Sequence, residues 1–206
     1  MLKGLRWFLM PYLLFLIVGV EYYFSHDHGD FVLLLNKNRI ALLDFAMPWI
    51  THLGDGLFFA LVTLIFVLYR WRVGMVVLAL GLTQLITSYL LKRQVFRGTP
   101  RPKTFFAELE VPLSFIEGVK VHSYNSFPSG HTMTAFAIFF FLSCYFQQRL
   151  FSVLFFTLAL AVAISRVYLL QHFLIDVCVG SIVGVILGFI GFKYSQKVDK
   201  TQHLGN

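Results

Sequence analysis

Charged residues are scarce in this sequence. Of its 206 residues, 13% are Asp, Glu, Lys or Arg, whereas 58% are hydrophobic and 24 are Phe. A soluble domain of this length would carry about a quarter charged residues. The scarcity argues against a soluble protein, and the length fits one domain, 1–206, embedded in a membrane.

Cysteine is almost absent as well. Cys144 and Cys178 both lie inside apolar runs, and their separation matches no disulfide or metal-binding spacing. They are interpreted as plain buried thiols, so they say nothing about the redox compartment.

The sequence shows no barrel-like alternation of polar and apolar residues, and helices are therefore the expected membrane-spanning elements. We predict an all-α integral membrane bundle of six transmembrane helices. The first run has no small-residue cleavage site and is interpreted as a retained anchor. The six apolar runs are 7–24, 57–69, 73–91, 132–147, 150–165 and 172–192.

Two segments outside these runs have a distinct character. Leu42, Phe45, Ala46 and Trp49 recur at helical spacing, which predicts a short amphipathic helix on the membrane surface. Residues 1–52 would thus form an N-terminal anchor helix and an interfacial segment. The longest polar connection, 93–128, holds four of the six prolines and is predicted to be a loop on the outer face.

The net charge of +7 comes from cations that flank apolar runs, so nucleic acid is not the expected partner. These cations form two groups along the sequence. With six spans, the first group falls on one side of the membrane, and the positive-inside rule makes that side cytoplasmic, together with both termini. That assignment requires the basic residues of the opposite side to serve another purpose, such as holding an anion. The first group is Lys3, Arg6, Arg70, Arg72, Arg149, Lys193, Lys197 and Lys200, and the second is Lys92, Arg93, Arg97, Arg101, Lys103 and Lys120.

Gly180, Gly184 and Gly188 repeat every four residues along the last run. Such a stripe lets helices approach closely. Packing within the bundle is the favoured interpretation and dimerisation the second, and the oligomeric state is not predicted.

Ionisable residues in the stretch SRVYLLQHFLID, 165–176, are costly at a membrane edge and indicate function. His172 and Asp176 are four residues apart, so the carboxylate can orient the imidazole, which could then act as a base or nucleophile. Arg166 offers planar donors for a phosphate or carboxylate. An ion pair that clamps two helices is the alternative.

Two further stretches point to an anion. In NSFPSGHTMTAFA, 125–137, Ser129 and Gly130 precede an apolar helix whose N-terminal amides could bind an anion beside His131. An ordinary N-cap is the alternative. In LLKRQVFRGTPRPKTFF, 90–106, the five cations could instead face lipid headgroups.

In the six-span topology these groups converge at one membrane edge. Two histidines, several cations and a helix N-terminus suit the binding and transfer of a phosphoryl group. The converging residues are Lys92, Arg101, Ser129, His131, Arg166, His172 and Asp176.

The motifs resemble those of the type 2 phosphatidic acid phosphatase superfamily over about 53–192. Pro128-Ser129-Gly130-His131 matches its second motif, and Ser165, Arg166, His172 and Asp176 match the third. Arg101-Pro102 matches the end of the first motif, Lys-x6-Arg-Pro, but Gln94 stands at the lysine position. Lys92 or the adjacent Arg93 would take the lysine role, and Lys92 is the interpretation adopted.

The resemblance implies a metal-independent membrane phosphatase with no cofactor. His172 would attack phosphorus with Asp176 orienting it, and His131 would protonate the leaving alkoxide and then activate water. Lys92, Arg101, Ser129, Gly130 and Arg166 would hold the phosphate.

The substrate would be a lipid phosphate or diphosphate at the outer, periplasmic face of a bacterial cytoplasmic membrane. Undecaprenyl diphosphate, phosphatidylglycerol phosphate, phosphatidic acid and lipid A phosphates remain open.

Two alternatives are weighed against this interpretation. The segment HDHGD, 26–30, contains possible metal ligands, although adjacent residues in a short loop rarely complete a metal site and a solvated loop is favoured. A non-catalytic membrane protein that binds or transports anionic lipids would use the same cations without turnover.

Overall fold

The computed structural model describes residues 4–203, and the side chains among them up to Asp199. Within that range the chain is helical, with an isolated bridge between Pro100 and Tyr124 and no strand. A 3₁₀ turn, Thr51–Gly54, precedes the fourth helix, and a π turn, Leu91–Val95, extends the fifth. The helices are α1 Arg6–Ser25, α2 Asp30–Lys37, α3 Ala41–Ile50, α4 Gly56–Tyr69, α5 Trp71–Leu90, α6 Pro102–Glu108, α7 Gly130–Phe146, α8 Arg149–Tyr168 and α9 Leu174–His203.

Four segments of the described chain are long and apolar enough to cross a membrane: Arg6–Ser25, Trp71–Val95, Arg149–Tyr168 and Leu174–Asp199. The pair α3 and α4 bends by 51° and would make a fifth span if it crosses as one unit. The remaining run of the sequence prediction is α7, which has 17 residues. The helical membrane architecture is thus as predicted, whereas the count of six spans stays a prediction.

The segment predicted to be amphipathic does form a helix, α3. Its Leu42, Phe45 and Trp49 side chains are between 66% and 71% exposed, so they face outward rather than into the bundle. Because α3 and α4 also fit one bent span, the placement of α3 on the membrane surface stays a prediction.

α7 is the central helix of the bundle. Its residues from Thr132 to Cys144 are all buried, which is the pattern of a helix that is apolar on every side and surrounded by others. Aromatic rings fill the space around it: Phe8 of α1 meets Phe140 and Phe156 edge to face, with centroids 5.1 and 5.5 Å apart. Edge-to-face pairs of this kind are favoured by the ring quadrupoles.

The glycine stripe of α9 lies directly against α7. A Cβ added at Gly180 would come within 2.7 Å of the carbonyl oxygen of Ser129, and at Gly184 within 2.5 Å of that of Met133. Only glycine permits this approach of two backbones. The stripe therefore serves packing within the bundle, as favoured from the sequence.

The end of the bundle opposite the active-site candidates holds most of the first group of cations. Arg70 donates to Asp199 at 2.9 Å, joining the α4–α5 turn to α9. The Arg149 guanidinium lies 3.8 Å from the centroid of the Trp7 ring. Lys3 and the Lys200 side chain lie outside the described part of the structure.

Candidate active site

The residues predicted to bind and transfer phosphate meet at one end of the bundle. Four elements contribute: the π turn after α5, the N-terminus of α7, the C-terminus of α8 and the N-terminus of α9. The loop before α6 adds a cation. In chain order the residues are Lys92, Arg101, Ser129, Gly130, His131, Arg166, His172 and Asp176.

His172 and Asp176 are in contact, but not as two residues of one helix. α9 begins at Leu174, so His172 lies just before it and Asp176 lies in its first turn. His172 Nδ1 is 3.3 Å from Asp176 Oδ2, and both side chains are buried. The carboxylate occupies Nδ1 of the ring and leaves Nε2 available to a substrate.

Two hydrogen bonds fix the Asp176 carboxylate. The Phe173 amide donates to Oδ2 at 2.9 Å, so the side chain caps the start of its own helix. Ser126 Oγ donates to the same oxygen at 2.5 Å and lies 3.5 Å from His172 Nδ1. A role for Ser126 was not predicted from the sequence, although this residue lies two positions before Pro128, where the second motif begins.

The surroundings of His172 favour the neutral form of its imidazole. Burial lowers the pKa of His172 well below its usual value, and the positive charges of Lys92, Arg101 and Arg166 lower it further. A neutral imidazole has a lone pair on one nitrogen, which nucleophilic attack requires.

Arg166 is buried, with 7% of its surface exposed. Its Nη1 donates to Thr51 Oγ1 at 2.6 Å. In the described part of the chain, Nε finds no hydrogen-bond acceptor. A buried donor without a partner is costly, so Arg166 is suited to an anion that completes its hydrogen bonds.

Arg101 is locked in place by neighbouring carbonyl groups. Its Nε donates to Tyr124 O at 3.0 Å, and its Nη1 donates to the carbonyl and side-chain oxygens of Gln171 at 3.0 and 2.7 Å. Burial lowers the pKa of this guanidinium from its usual value. Gln171 immediately precedes His172 and also donates to Lys120 O at 2.8 Å, so it ties the polar loop 93–128 to the segment that carries His172.

The N-terminus of α7 combines a cap with unpaired amides. Ser129 Oγ accepts from the Thr132 amide at 3.4 Å, so it is the N-cap. The Ser129 amide donates to Asp176 O at 3.0 Å, which joins α7 to α9. The amides of Gly130 and His131 come next and have no carbonyl one turn earlier. The N-cap and the anion-binding interpretations are therefore compatible.

Lys92, rather than Arg93, faces this site. A Cβ added at Gly130 would lie 3.8 Å from Lys92 Nζ. Lys92 is half-buried, whereas Arg93 and Gln94 are exposed. The π turn holds more residues per turn than an α-helix, which changes the direction of the side chains after Leu91.

His131 has a partner that the motifs did not indicate. Its Nε2 lies 2.5 Å from Asp55 Oδ1, and Asp55 Oδ2 lies 2.5 Å from His52 Nδ1. Asp55 sits between the 3₁₀ turn and α4. No spacing rule connects it with a histidine so distant in sequence.

The histidines of the HDHGD segment have separate aromatic partners. The His26 ring stacks on Tyr22, with centroids 3.9 Å apart, and the His28 ring lies 4.2 Å from that of Phe173. In the described chain, no three His, Cys, Asp or Glu residues are placed to hold a metal ion.

The sequence model of the PAP2 superfamily matches residues 72–200. The chain therefore belongs to the PAP2 superfamily, the family that its motifs resemble. The match includes the second and third motifs and Arg101-Pro102.

Individual relatives agree with this assignment. Phosphatidylglycerophosphatase B of Bacillus subtilis is 29% identical over 173 residues, covering 79% of this chain and 73% of its own. Lipid A 1-phosphatase of Porphyromonas gingivalis is 38% identical over 76 residues, 36% of this chain, but the match covers only 17% of that protein.

Two solved structures share the fold. The crystal structure of Aquifex aeolicus LpxE superimposes with a TM-score of 0.69 and 27% identity, covering 81% of this chain and 95% of that one. The transmembrane PAP2-type phosphatidylglycerolphosphate phosphatase from Bacillus subtilis gives a TM-score of 0.69 and 26% identity, covering 96% and 98%.

Proposed function

We propose that this protein is a lipid phosphatase that transfers the phosphoryl group of its substrate to His172. The observation that carries the proposal is the pair His172–Asp176 beside Arg166, whose buried Nε has no acceptor among the described residues. The pair supplies an oriented nucleophile, and Arg166 supplies donors for the phosphate oxygens.

Each predicted residue has a role in two steps. His172 Nε2 attacks phosphorus while His131 protonates the leaving oxygen. In the second step His131 takes a proton from water, whose oxygen attacks phosphorus and releases His172. The groups proposed to bind the phosphate oxygens are Lys92, Arg101, Arg166, Ser129 and the Gly130 amide.

The reaction is proposed to need no metal ion or other cofactor. The three cations Lys92, Arg101 and Arg166 surround the site with the positive charge that a metal ion would otherwise supply. Full activity in chelator is the expected outcome.

A groove next to the site offers room for a lipid chain. It has a volume of about 410 Å³ and runs between α4 and α5, where Gly56, Phe59 and Leu78 contribute to its wall. Gln84 and Thr134 also line it, and both donate hydrogen bonds to the carbonyl of Gly130, at 3.4 and 3.0 Å. The groove therefore reaches the first turn of α7, which supports a substrate whose headgroup enters the site while its chain stays between helices.

We further propose that the chain is one membrane phosphatase domain with six spans, both termini cytoplasmic and the site at the outer face of a bacterial inner membrane. The relatives support a substrate among the lipid phosphates, since two are named for phosphatidylglycerophosphate and lipid A. Phosphatidic acid and undecaprenyl diphosphate remain candidates.

Phosphate release from purified lipid phosphates in detergent, with chelator present, tests the proposal. We expect turnover of at least one lipid, and His172→Ala should retain less than about a hundredth of it. Retention of more than that fraction would remove His172 from the nucleophile role.

The same assay separates an enzyme from a lipid-binding or transport protein. A non-catalytic protein would bind lipid phosphate without releasing inorganic phosphate, and vanadate would not compete with the lipid.

A further inference from the structure

A carboxylate outside the three motifs joins two imidazoles beside the proposed phosphate site. Asp55 Oδ1 contacts His131 Nε2 and Asp55 Oδ2 contacts His52 Nδ1, each at 2.5 Å. The side chains of Asp55 and His131 are 31% and 33% exposed, whereas that of His52 is 63% exposed. His131 is thus the inner partner of the carboxylate and His52 the outer one.

The backbone around Asp55 is held tightly against α7 and α8. A Cβ added at Gly54 would lie 2.7 Å from the carbonyl oxygen of His131 and 2.8 Å from Val162 Cγ1. At the start of the same turn, Thr51 Oγ1 accepts from Arg166 at 2.6 Å. The position of Asp55 relative to His131 is therefore set by packing on both sides.

We propose that Asp55 is the positioning residue that directs the catalytic proton of His131. The carboxylate accepts the Nε2–H of His131, which fixes the ring and leaves Nδ1 facing the leaving oxygen. An oriented carboxylate also stabilises the imidazolium form that donates the proton. This inference rests on the proposed function, in which His131 is the general acid.

The proton moves as follows. As the bond from His172 Nε2 to phosphorus forms and the bond from phosphorus to the leaving oxygen breaks, the Nδ1 proton passes to that oxygen. His131 is then neutral, with its remaining proton on Nε2 and donated to Asp55. When water attacks phosphorus, its proton goes to Nδ1 and the bond to His172 breaks. Asp55 gains and loses no proton in the cycle.

The test compares two substrates that differ in their need for a proton. An alkoxide leaving from phosphatidic acid requires protonation, whereas p-nitrophenolate leaves from p-nitrophenyl phosphate without it. The first turnover is measured by rapid quench in detergent for wild type and for Asp55→Asn. We expect Asp55→Asn to slow the first turnover of phosphatidic acid about tenfold to a hundredfold, because it removes only part of the roughly hundredfold to ten-thousandfold contribution of a general acid and leaves His131 in place. First-turnover release of p-nitrophenol should change less than about threefold, a residual effect below that range.

Equal losses with both substrates, or no loss with either, would overturn the role of Asp55, because a structural defect does not discriminate between leaving groups. His52→Asn is the matched control: it removes the outer partner of the same carboxylate and should show little dependence on the leaving group. Asp55→Glu keeps the charge at a changed distance and should give a smaller loss of the same kind, which provides a second reading if Asp55→Asn folds poorly.

His131→Ala separates this inference from the proposed function. If His131→Ala itself loses no more activity on phosphatidic acid than on p-nitrophenyl phosphate, His131 is not the acid, and both proposals fall together. If His131→Ala discriminates and Asp55→Asn does not, only the role of Asp55 falls.

Discussion

At the scale of single residues, Arg166 combines a positive charge with a planar set of donors, and lysine cannot replace both. Its Nη1 is used by Thr51, and its buried Nε has no acceptor in the described chain. Lysine would keep the charge but lose the planar set of donors. We expect Arg166→Lys to lower kcat/KM about a hundredfold, the scale of losing one preorganised donor to the transition state.

Steady-state kinetics on the best lipid substrate check this prediction. Arg149→Lys, at the opposite end of the bundle over Trp7, is the matched control and should leave kcat/KM unchanged. Near-normal kcat/KM in Arg166→Lys would mean that only the charge matters.

The pKa of His172 predicts a pH dependence of stability. Because burial and nearby cations lower this pKa in the folded state, the unfolded chain binds the proton more readily. The contribution of a neutral His172 to the free energy of unfolding is therefore fully present above the pKa of histidine in the unfolded chain, about 6.5. It decreases as pH falls through that value. We expect the unfolding temperature in detergent to fall between pH 7.5 and 5.5.

His172→Gln removes the titrating group and keeps a polar side chain at the site. It should lose less stability than wild type over the same interval. An identical pH dependence of the two proteins would show that other groups, such as His122, govern it.

Several site residues could be read from the sequence, and others could not. Asp176 is four residues from His172, so local spacing is informative there, whereas Ser126 lies two residues before the second motif and was not predicted. Thr51 is 115 residues from Arg166, and the contact exists only because α8 packs against the 3₁₀ turn. Contacts between residues so far apart in sequence depend on tertiary packing, and no local periodicity of the sequence predicts them.

At the scale of elements, the close contact of α7 and α9 positions the site. The Ser129 amide bonds to Asp176 O where the two helices begin, and the glycine stripe continues that contact along α9. We expect Gly184→Ala to destabilise the protein by about 1–3 kcal/mol, the usual cost of overpacking, because the new methyl group meets the Met133 carbonyl.

Thermal unfolding in detergent measures this effect. Gly56→Ala is the matched control, since a Cβ at the start of α4 would have no neighbouring atom within 4 Å. If the two alanine variants unfold at the same temperature, the close approach of α7 and α9 contributes little to stability.

The sequence predicted six helices from its apolar runs, and a helix covers nearly all of each run in the structure. It did not predict the π turn at Leu91–Val95, because a changed helical pitch alters no hydrophobic pattern. That turn nevertheless decides that Lys92 and not Arg93 faces Gly130.

At the scale of the whole molecule, the proposed six-span topology would place the polar loop 93–128 and the turn between α7 and α8 on opposite sides of the membrane. Both native cysteines are buried, so an introduced exposed cysteine can be labelled selectively. Glu117→Cys in the outer loop should react with an impermeant maleimide in intact cells. Gln148→Cys, in the turn between α7 and α8, should react only after permeabilisation. Labelling of both positions from the same side would contradict this topology.

The most direct test of the account is to trap the phosphorylated enzyme. Wild-type protein mixed with its lipid phosphate, quenched within the first turnover under conditions that preserve a phosphorus–nitrogen bond, is digested and analysed by peptide mass spectrometry. The account predicts one phosphate on the peptide that contains His172, and none in His172→Ala. Turnover with an unmodified His172, or phosphate on another residue, would contradict it.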